Sequence, residues 1–144
     1  MSTETSYRLT PELLQRAMEG ELSAIAGYTH MKTMTNDQSH LAALDHIIGD
    51  EQKHLRSFEE LSRRRFGSAP ELPPVTGTPA CMFMDCIRLS VNDELEAFEL
   101  YRNIYLDNGG EHVRGPFFEA MTDENEHAIR LNMMFASELA KRVL

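Results

Sequence analysis

The sequence predicts an all-α protein, a four-helix bundle made of two antiparallel helical hairpins that a long crossover joins. Apolar residues recur at steps of three and four in four long segments, and no two-residue alternation long enough for a sheet occurs. Short polar turns separate the first two segments and the last two, whereas a proline-rich stretch, GSAPELPPVTGTP, separates the two pairs. Because 144 residues is the size of one domain, we expect residues 1–144 to form a single domain.

The helix boundaries are predicted from caps, turns and prolines. Thr10 and Pro11 provide an N-cap and a proline at the first helical position, so the first helix is expected at about 11–34. The polar turn 35–37 leads into a second helix at about 38–66. The third helix is expected at about 80–106, before an Asp-Asn-Gly-Gly turn, and the fourth at about 111–142. Pro116 predicts that the first turn of the fourth helix is separate or kinked.

The stretch 67–79 is long enough to connect opposite ends of the bundle. Its thirteen residues span about 43 Å when extended, and the second helix has about the same length. Such a crossover suits a bundle in which the two hairpins pack together. The alternative is a flexible linker between separate hairpins, which is unfavourable because neither hairpin could bury its apolar face alone.

Composition and charge restrict the possible functions. A formal net charge of −9 repels phosphate backbones, so nucleic acid is not an expected partner. No apolar run is long enough to span a membrane, and the N-terminus lacks a signal-peptide pattern, so we expect a cytoplasmic protein. Cys81 and Cys86 are expected to lie about 140° apart on the third helix and therefore not to form one site.

A glutamate interrupts each of the four apolar stripes near its middle. These residues are Glu21, Glu51, Glu94 and Glu124. The second and fourth helices add histidines, His54 and His127, three residues after their glutamates. Residues three apart share a helix face, so each histidine is expected to point inward with its glutamate.

Four buried carboxylates require compensation, because burying even one unpaired carboxylate is strongly unfavourable. No Lys or Arg occupies these stripes. Two divalent metal ions would neutralise the four charges, and the two imidazoles would be further ligands, as in the carboxylate-rich sites of helical bundles. The alternatives are structural glutamates, or a solvated Glu51 at the edge of its helix.

An internal repeat favours the metal site. The segment ELSAIAGY from Glu21 matches ELEAFELY from Glu94, and DEQKH from Asp50 matches DENEH from Asp123. Both matches have the same offset of 73 residues. Core packing would preserve leucines between the halves, but most of the matched residues are polar or aromatic.

The repeat also predicts partners for the candidate ligands. Asp50 and Asp123 are expected to accept the outer N–H of a ligand histidine, either their own or the opposite one. Tyr28 and Tyr101 lie two turns after Glu21 and Glu94, and their hydroxyls are expected to hydrogen-bond a ligand carboxylate, unless they are satisfied elsewhere. The histidines without a partner in the repeat are interpreted as surface or packing residues: His30, His40, His46 and His112.

The paired motifs, ELSAIAGY with DEQKH and NDELEAFELY with TDENEH, resemble the ferritin-like di-iron superfamily, near rubrerythrin and bacterioferritin. The resemblance extends from about residue 10 to about residue 142. It implies a ferritin-like four-helix bundle with two iron ions. It also implies that Glu51 and Glu124 bridge the irons. The implied terminal ligands are Glu21 and His54 for one iron, and Glu94 and His127 for the other.

The chain departs from rubrerythrins at several points. Ala97 stands where they carry an additional glutamate, and His127 stands where they commonly have a carboxylate. No cysteine-rich rubredoxin segment is present. The four glutamates and two histidines are closer to bacterioferritin, but no fifth helix follows the fourth, so a storage cage is not expected.

Two functions of different classes follow from the resemblance. The leading hypothesis is a di-iron oxidoreductase, ferroxidase-like or peroxidase-like, that reacts with dioxygen or hydrogen peroxide. Its electrons would come from Fe(II) or from an external electron donor. The alternative is a non-catalytic metal-binding or iron-handling module, in which manganese or zinc can replace iron. Family habit favours a homodimer, with Leu72 and Val75 of the crossover as candidate contacts.

Overall fold

The computed structural model describes residues 4–77 and 79–143. They form four α-helices: α1 at Pro11–Met31, α2 at Gln38–Phe66, α3 at Phe83–Asp107 and α4 at Glu111–Val143. A short 3-10 turn at Lys32–Met34 continues α1. No strand occurs in these residues, and the predicted all-α four-helix fold is confirmed. No helix among them is long and apolar enough to cross a membrane.

Local side-chain chemistry defines the helix ends. The Thr10 hydroxyl accepts a hydrogen bond from the Leu13 N–H at the start of α1. The Asp37 carboxylate accepts two N–H groups from the first turn of α2. Gly67 ends α2 with a φ of 84°, a left-handed conformation that glycine adopts without a side-chain clash.

Two apolar clusters occupy opposite ends of the bundle. The first cluster joins the start of α1 and α4 to the end of α2 and α3, and it includes Leu14, Met18, Phe58, Leu61, Ile104 and Phe117. The second cluster joins the end of α1 and α4 to the start of α2 and α3, and it includes Met31, Leu44, Ile47, Ile87, Leu131 and Met134. Helices α1 and α4 therefore run in one direction, and α2 and α3 run in the opposite direction.

The chain between α2 and α3 is the predicted crossover. It leaves α2 at the first cluster and enters α3 at the second, so it runs back along the bundle. Leu72 packs against the first cluster and Cys81 against the second. Leu72 is therefore partly buried within the chain, whereas Val75 is exposed, and their role as dimer contacts stays a prediction.

The expectation for the two cysteines was wrong. Helix α3 begins at Phe83, so Cys81 precedes the helix and the angle that we calculated for two helical residues does not apply. A disulfide joins Cys81 to Cys86, with their Cα atoms 5.4 Å apart. Helix α4 continues through Pro116, so the separate first turn is excluded, whereas the alternative of a kink stays a prediction. As the sixth residue of α4, Pro116 lacks the N–H that would donate to the carbonyl of His112.

Candidate metal centre

A polar layer crosses the bundle between the two apolar clusters. Each helix contributes one glutamate to it, and α2 and α4 each add a histidine. None of these six residues is more than 2% exposed: Glu21, Glu51, His54, Glu94, Glu124 and His127. The sequence therefore predicted which residues converge, and a Glu51 solvated at the edge of its helix is excluded.

The six side chains form two overlapping groups. In each group, one potential ligand atom per residue lies within 4.8 Å of those of the other members. The first group is Glu21, Glu51, His54 and Glu124, and the second is Glu51, Glu94, Glu124 and His127. Because Glu51 and Glu124 belong to both groups, they occupy the positions that bridging ligands would take.

The spacing of the ligand-type atoms suits shared metal ions. His54 Nδ1 lies 3.4 Å from Glu21 Oε1, and His127 Nδ1 lies 2.9 Å from Glu51 Oε1 and 3.5 Å from Glu94 Oε2. Ligand atoms at about 2.1 Å from one ion lie roughly 3 Å from each other. The layer is therefore compatible with a dinuclear metal site.

The layer also holds polar atoms that nothing else satisfies. Within the part of the chain that the structure describes, every buried side-chain nitrogen or oxygen without a hydrogen bond belongs to one of the six residues. These atoms include the Nδ1 of both histidines and both carboxylate oxygens of Glu51. Unpaired buried polar atoms are strongly unfavourable. Metal coordination would satisfy all of them together.

Aspartates orient the two histidines. The Nε2 of His54 lies 2.8 Å from Asp123 Oδ2, and the Nε2 of His127 lies 2.8 Å from Asp50 Oδ2. Each aspartate thus contacts the histidine of the opposite hairpin, one of the two arrangements that the sequence allowed. This contact holds the proton on Nε2 and leaves Nδ1 facing the layer as a potential ligand.

Tyrosines hold the two terminal glutamates. The Tyr101 hydroxyl donates to Glu21 Oε1 at 2.5 Å, and the Tyr28 hydroxyl donates to Glu94 Oε1. Each tyrosine again bonds a residue of the opposite hairpin, and the predicted tyrosine–carboxylate contacts are present. The second oxygen of each glutamate, Oε2, stays without a hydrogen bond.

The charges in the layer shift its pKa values upward. Burial, followed by the neighbouring glutamates, raises the pKa of the Glu51 and Glu124 carboxyls well above the usual range. Burial lowers the pKa of the histidines, but nearby carboxylates outweigh it and raise the pKa of His54 to about 9 and that of His127 to about 10. Without metal, protons therefore occupy part of this layer near neutral pH.

The sequence did not predict the role of His46. Its Nε2 lies 3.3 Å from Asp50 Oδ2 and 3.0 Å from Glu126 Oε1, so it contacts the aspartate that orients His127. The spacing of four residues between His46 and Asp50 was a signal for this contact. Near Asp123, the corresponding outer ion pair joins Lys53 to Glu119.

A separate group of potential ligands lies outside the polar layer, near the start of α2. His40 Nε2 is 2.9 Å from Glu138 Oε1, and Asp37 lies beside them. The Lys141 ammonium donates to both Asp37 and Glu138, and Asp37 also accepts two N–H groups at the start of α2. This cluster is therefore satisfied without a metal, and His40 is a packing residue as expected.

The chain is similar to known proteins over most of its length. The family model described as rubrerythrin matches residues 12–135. An uncharacterized protein of Bacillus subtilis (strain 168), YhjR, is 29% identical over 129 residues, which cover 85% of this chain and 86% of the relative.

Two solved structures share the fold. A conserved hypothetical protein from Mycobacterium tuberculosis superposes with a TM-score of 0.74 at 17% identity, over 85% of this chain and 94% of that one. A two-domain protein from Anabaena variabilis ATCC 29413, with DJ-1/ThiJ/PfpI-like and ferritin-like domains, gives a TM-score of 0.70 at 17% identity. That match covers 90% of this chain and 36% of the two-domain protein. The predicted ferritin-like, rubrerythrin-like resemblance is confirmed.

Proposed function

Because this chain belongs to the rubrerythrin family, we propose that its buried layer binds two iron ions and acts as an oxidoreductase towards dioxygen or hydrogen peroxide. The observation that carries the proposal is the pair of overlapping ligand groups, in which seven buried nitrogen and oxygen atoms have no hydrogen bond. Glu51 and Glu124 are the proposed bridging ligands. The proposed terminal ligands are Glu21 and His54 for one ion, and Glu94 and His127 for the other.

The surrounding residues prepare the layer for this chemistry. Bound iron would supply one-electron redox changes and a Lewis acid for oxygen species. Asp50 and Asp123 fix the tautomer of the histidines, so that Nδ1 is available inside the layer. Tyr28 and Tyr101 hold one oxygen of each terminal carboxylate and keep a hydroxyl proton next to the site. The apolar clusters on both sides exclude water along the bundle axis.

The alternative is a metal-binding or iron-handling module without turnover. Ala97 favours it, because rubrerythrins carry an additional carboxylate at this place and this chain offers only a methyl group. The same ligands also suit manganese or zinc. The two functions differ in what happens after loading, since only the oxidoreductase consumes its oxidant repeatedly.

Metal stoichiometry tests the site itself. We expect metal-free protein titrated anaerobically with Fe(II) to bind two ions per chain. Glu51→Gln removes the charge of a bridging ligand at nearly constant shape, so at most one ion should remain tightly bound. Glu60→Gln is the matched control, because Glu60 lies on the same helix and is exposed. Absence of specific binding in the unaltered protein would refute the metal site.

Turnover tests the activity. Iron-loaded protein should consume hydrogen peroxide or dioxygen in the presence of an electron donor, whereas zinc-loaded protein should not, because zinc has no redox chemistry. Two bound irons without repeated consumption of either oxidant would favour the iron-handling module instead.

A further inference from the structure

A cavity of about 370 Å³ opens between α1 and α3 and reaches the polar layer. The four glutamates of the layer and both tyrosines, Tyr28 and Tyr101, lie in its wall. Its outer wall contains exposed residues, which include Arg16, Gly20, Ser23, Asp93 and Glu96. The cavity therefore connects solvent to the candidate metal centre through one side of the bundle.

Small residues of α1 keep this cavity open. Gly20 and Gly27 line it on either side of Ala24. A glycine inside a helix is unfavourable relative to alanine because it loses more backbone freedom on folding. Close packing is not the reason, because a Cβ added at either glycine would have no heavy atom within 4 Å. The missing side chains leave free space beside the site.

The cavity is larger than an oxidant requires. A molecule the size of water occupies roughly 30 Å³ of liquid volume, and dioxygen and hydrogen peroxide are only slightly larger. A volume of about 370 Å³ instead falls in the range of pockets for small organic ligands, roughly 300–1,000 Å³. There is room for an organic molecule and an oxidant together.

The wall indicates the chemistry of such a molecule. Ala17, Ala24, Ala97 and Leu100 make much of the wall apolar. Asp93 and Glu96 outnumber the one cation of the wall, Arg16, so anions are repelled. A charged molecule would also lose hydration among the apolar residues.

At the inner end of the cavity, unpartnered polar atoms mark a place for ligands. Glu21 Oε2, Glu94 Oε2 and Glu124 Oε1 have no hydrogen bond, and their residues are at most 2% exposed and lie in the cavity wall. With metal ions bound among these carboxylates, a molecule in the cavity would lie directly beside the redox centre.

We propose that the cavity between α1 and α3 binds a small uncharged organic reductant of about one aromatic ring, which supplies electrons to the metal centre. This inference rests on the proposed oxidoreductase function. The reductant can be a dihydric phenol, with hydrogen peroxide as the oxidant. The phenol loses two electrons and two protons and becomes a quinone, and the O–O bond breaks as peroxide takes them up and becomes two waters.

Binding is tested with phenol as a redox-inert probe on zinc-loaded protein, followed by NMR. We expect saturable shifts in the signals of residues lining the cavity. Gly20→Leu should weaken phenol binding by roughly tenfold or more, because a bulky side chain at this wall position takes up part of the cavity. Gly49→Leu is the matched control, since Gly49 is also helical with open space around its Cβ but lies on α2, outside the cavity wall.

Both variants replace a helical glycine by a good helix former, so both are expected to fold. Phenol binding that is absent, or equal in all three proteins, would overturn the proposal. Zinc content measured on the same samples separates the two failures. Two bound zinc ions without phenol binding would refute only the cavity proposal, whereas absence of metal would refute the metal site itself.

Turnover of the iron-loaded protein gives a second readout. Hydroquinone with hydrogen peroxide should give one quinone per peroxide, and the anionic hydroquinone sulfonate should react more slowly. Gly20→Leu should lower the rate with hydroquinone at unchanged iron content, and Gly49→Leu should not. If hydroquinone and its sulfonate react at equal rates, and Gly20→Leu and Gly49→Leu also show equal rates, electrons enter elsewhere and the proposal is overturned.

Discussion

The polar layer has two halves, one around His54 and one around His127. The two halves share their inner contacts and differ in their outer ones. In both halves a tyrosine bonds a glutamate of the other hairpin, and an aspartate contacts a histidine of the other hairpin. Outside this layer, His46 contacts Glu126 in one half, whereas Lys53 contacts Glu119 in the other. With the repeat offset of 73, position 46 is equivalent to position 119, and position 53 is equivalent to position 126. The two outer pairs therefore join equivalent positions of the repeat, although the residues differ.

This difference shows which contacts the site requires. Inner contacts determine tautomer and carboxylate orientation in a buried layer, so a replacement there would leave polar groups unsatisfied. Outer pairs are exposed, and any pair of complementary groups can occupy them. The halves are nevertheless not equivalent, because the full positive charge of Lys53 acts more strongly on Asp123 than on Asp50. After Glu119, the charge of Asp123 and then that of Asp50 raise the pKa of Lys53. A positive charge weakens Asp123 as an acceptor, so we expect weaker binding of the ion at His54.

Removal of a terminal carboxylate should weaken metal binding in one half of the layer and leave the other half intact. Glu21→Ala and Glu94→Ala should each weaken the binding of one of the two ions by roughly 100-fold or more. Even the removal of an outer partner of a ligand weakens metal binding by about 10–100-fold. Iron titration of both variants measures the remaining ion. Glu21→Ala keeps the His127 half and should bind its remaining ion more tightly than Glu94→Ala binds the ion at His54. Equal affinities would show that the halves are equivalent.

A change of pH should affect both halves in the same direction. The pKa of His54 is raised to about 9 and that of His127 to about 10, because carboxylates outweigh the lowering effect of burial. Below these values each imidazole carries a proton that a metal must displace. Binding should therefore strengthen as pH rises from neutral and level off above a pH of about 10.

The proton count provides the measurement. Release of two histidine protons changes the overall constant for two ions about 100-fold per pH unit. Calorimetry in buffers of different ionisation enthalpy counts these protons, and the Glu21→Ala and Glu94→Ala variants should each release fewer than the unaltered protein. Binding that is independent of pH between neutral and about 9 would contradict the raised pKa values.

Loss of an aspartate should have a smaller effect than loss of a ligand. Asp50→Asn and Asp123→Asn should each weaken one ion by about 10–100-fold, because the histidine loses its charged acceptor. The loss should be larger for Asp50, because the charge of Lys53 acts on Asp50 less strongly than on Asp123. Competition with a chelator gives both affinities. Unchanged binding in both variants would show that the aspartates do not orient the ligands.

The smallest effect is expected at Lys53. Lys53→Met removes the positive charge near Asp123 and should tighten the ion at His54 by a few-fold, the size of an exposed charge effect. The effect should shrink at high salt. Arg56→Met, an exposed change on the same helix, is the control. Weaker binding of the ion at His54 in Lys53→Met would contradict the expectation that Lys53 lowers the affinity of this half.

The fold and the candidate ligands could largely be predicted from the sequence. Helix period places Glu51 and His54 on one face, and the repeat identifies Glu124 and His127 as their counterparts. The disulfide was missed, because it depends on where α3 begins, and helix boundaries are uncertain by a few residues. The role of His46 was missed because it has no counterpart in the repeat. Manganese or zinc in place of iron, a homodimer and a cytoplasmic location stay predictions.

By itself, the sequence determined which charged residues lie on apolar helix faces, because the helical period converts spacing along the chain into a shared direction. Only the tertiary structure decided that Tyr28 meets Glu94 and that Asp50 meets His127, contacts between residues 66 and 77 positions apart. Such pairings depend on how α1 lies beside α3 and α2 beside α4. The same packing leaves Gly20 and Gly27 facing open space beside the layer, because the volume between two helices is a property of both helices and not of either sequence segment alone.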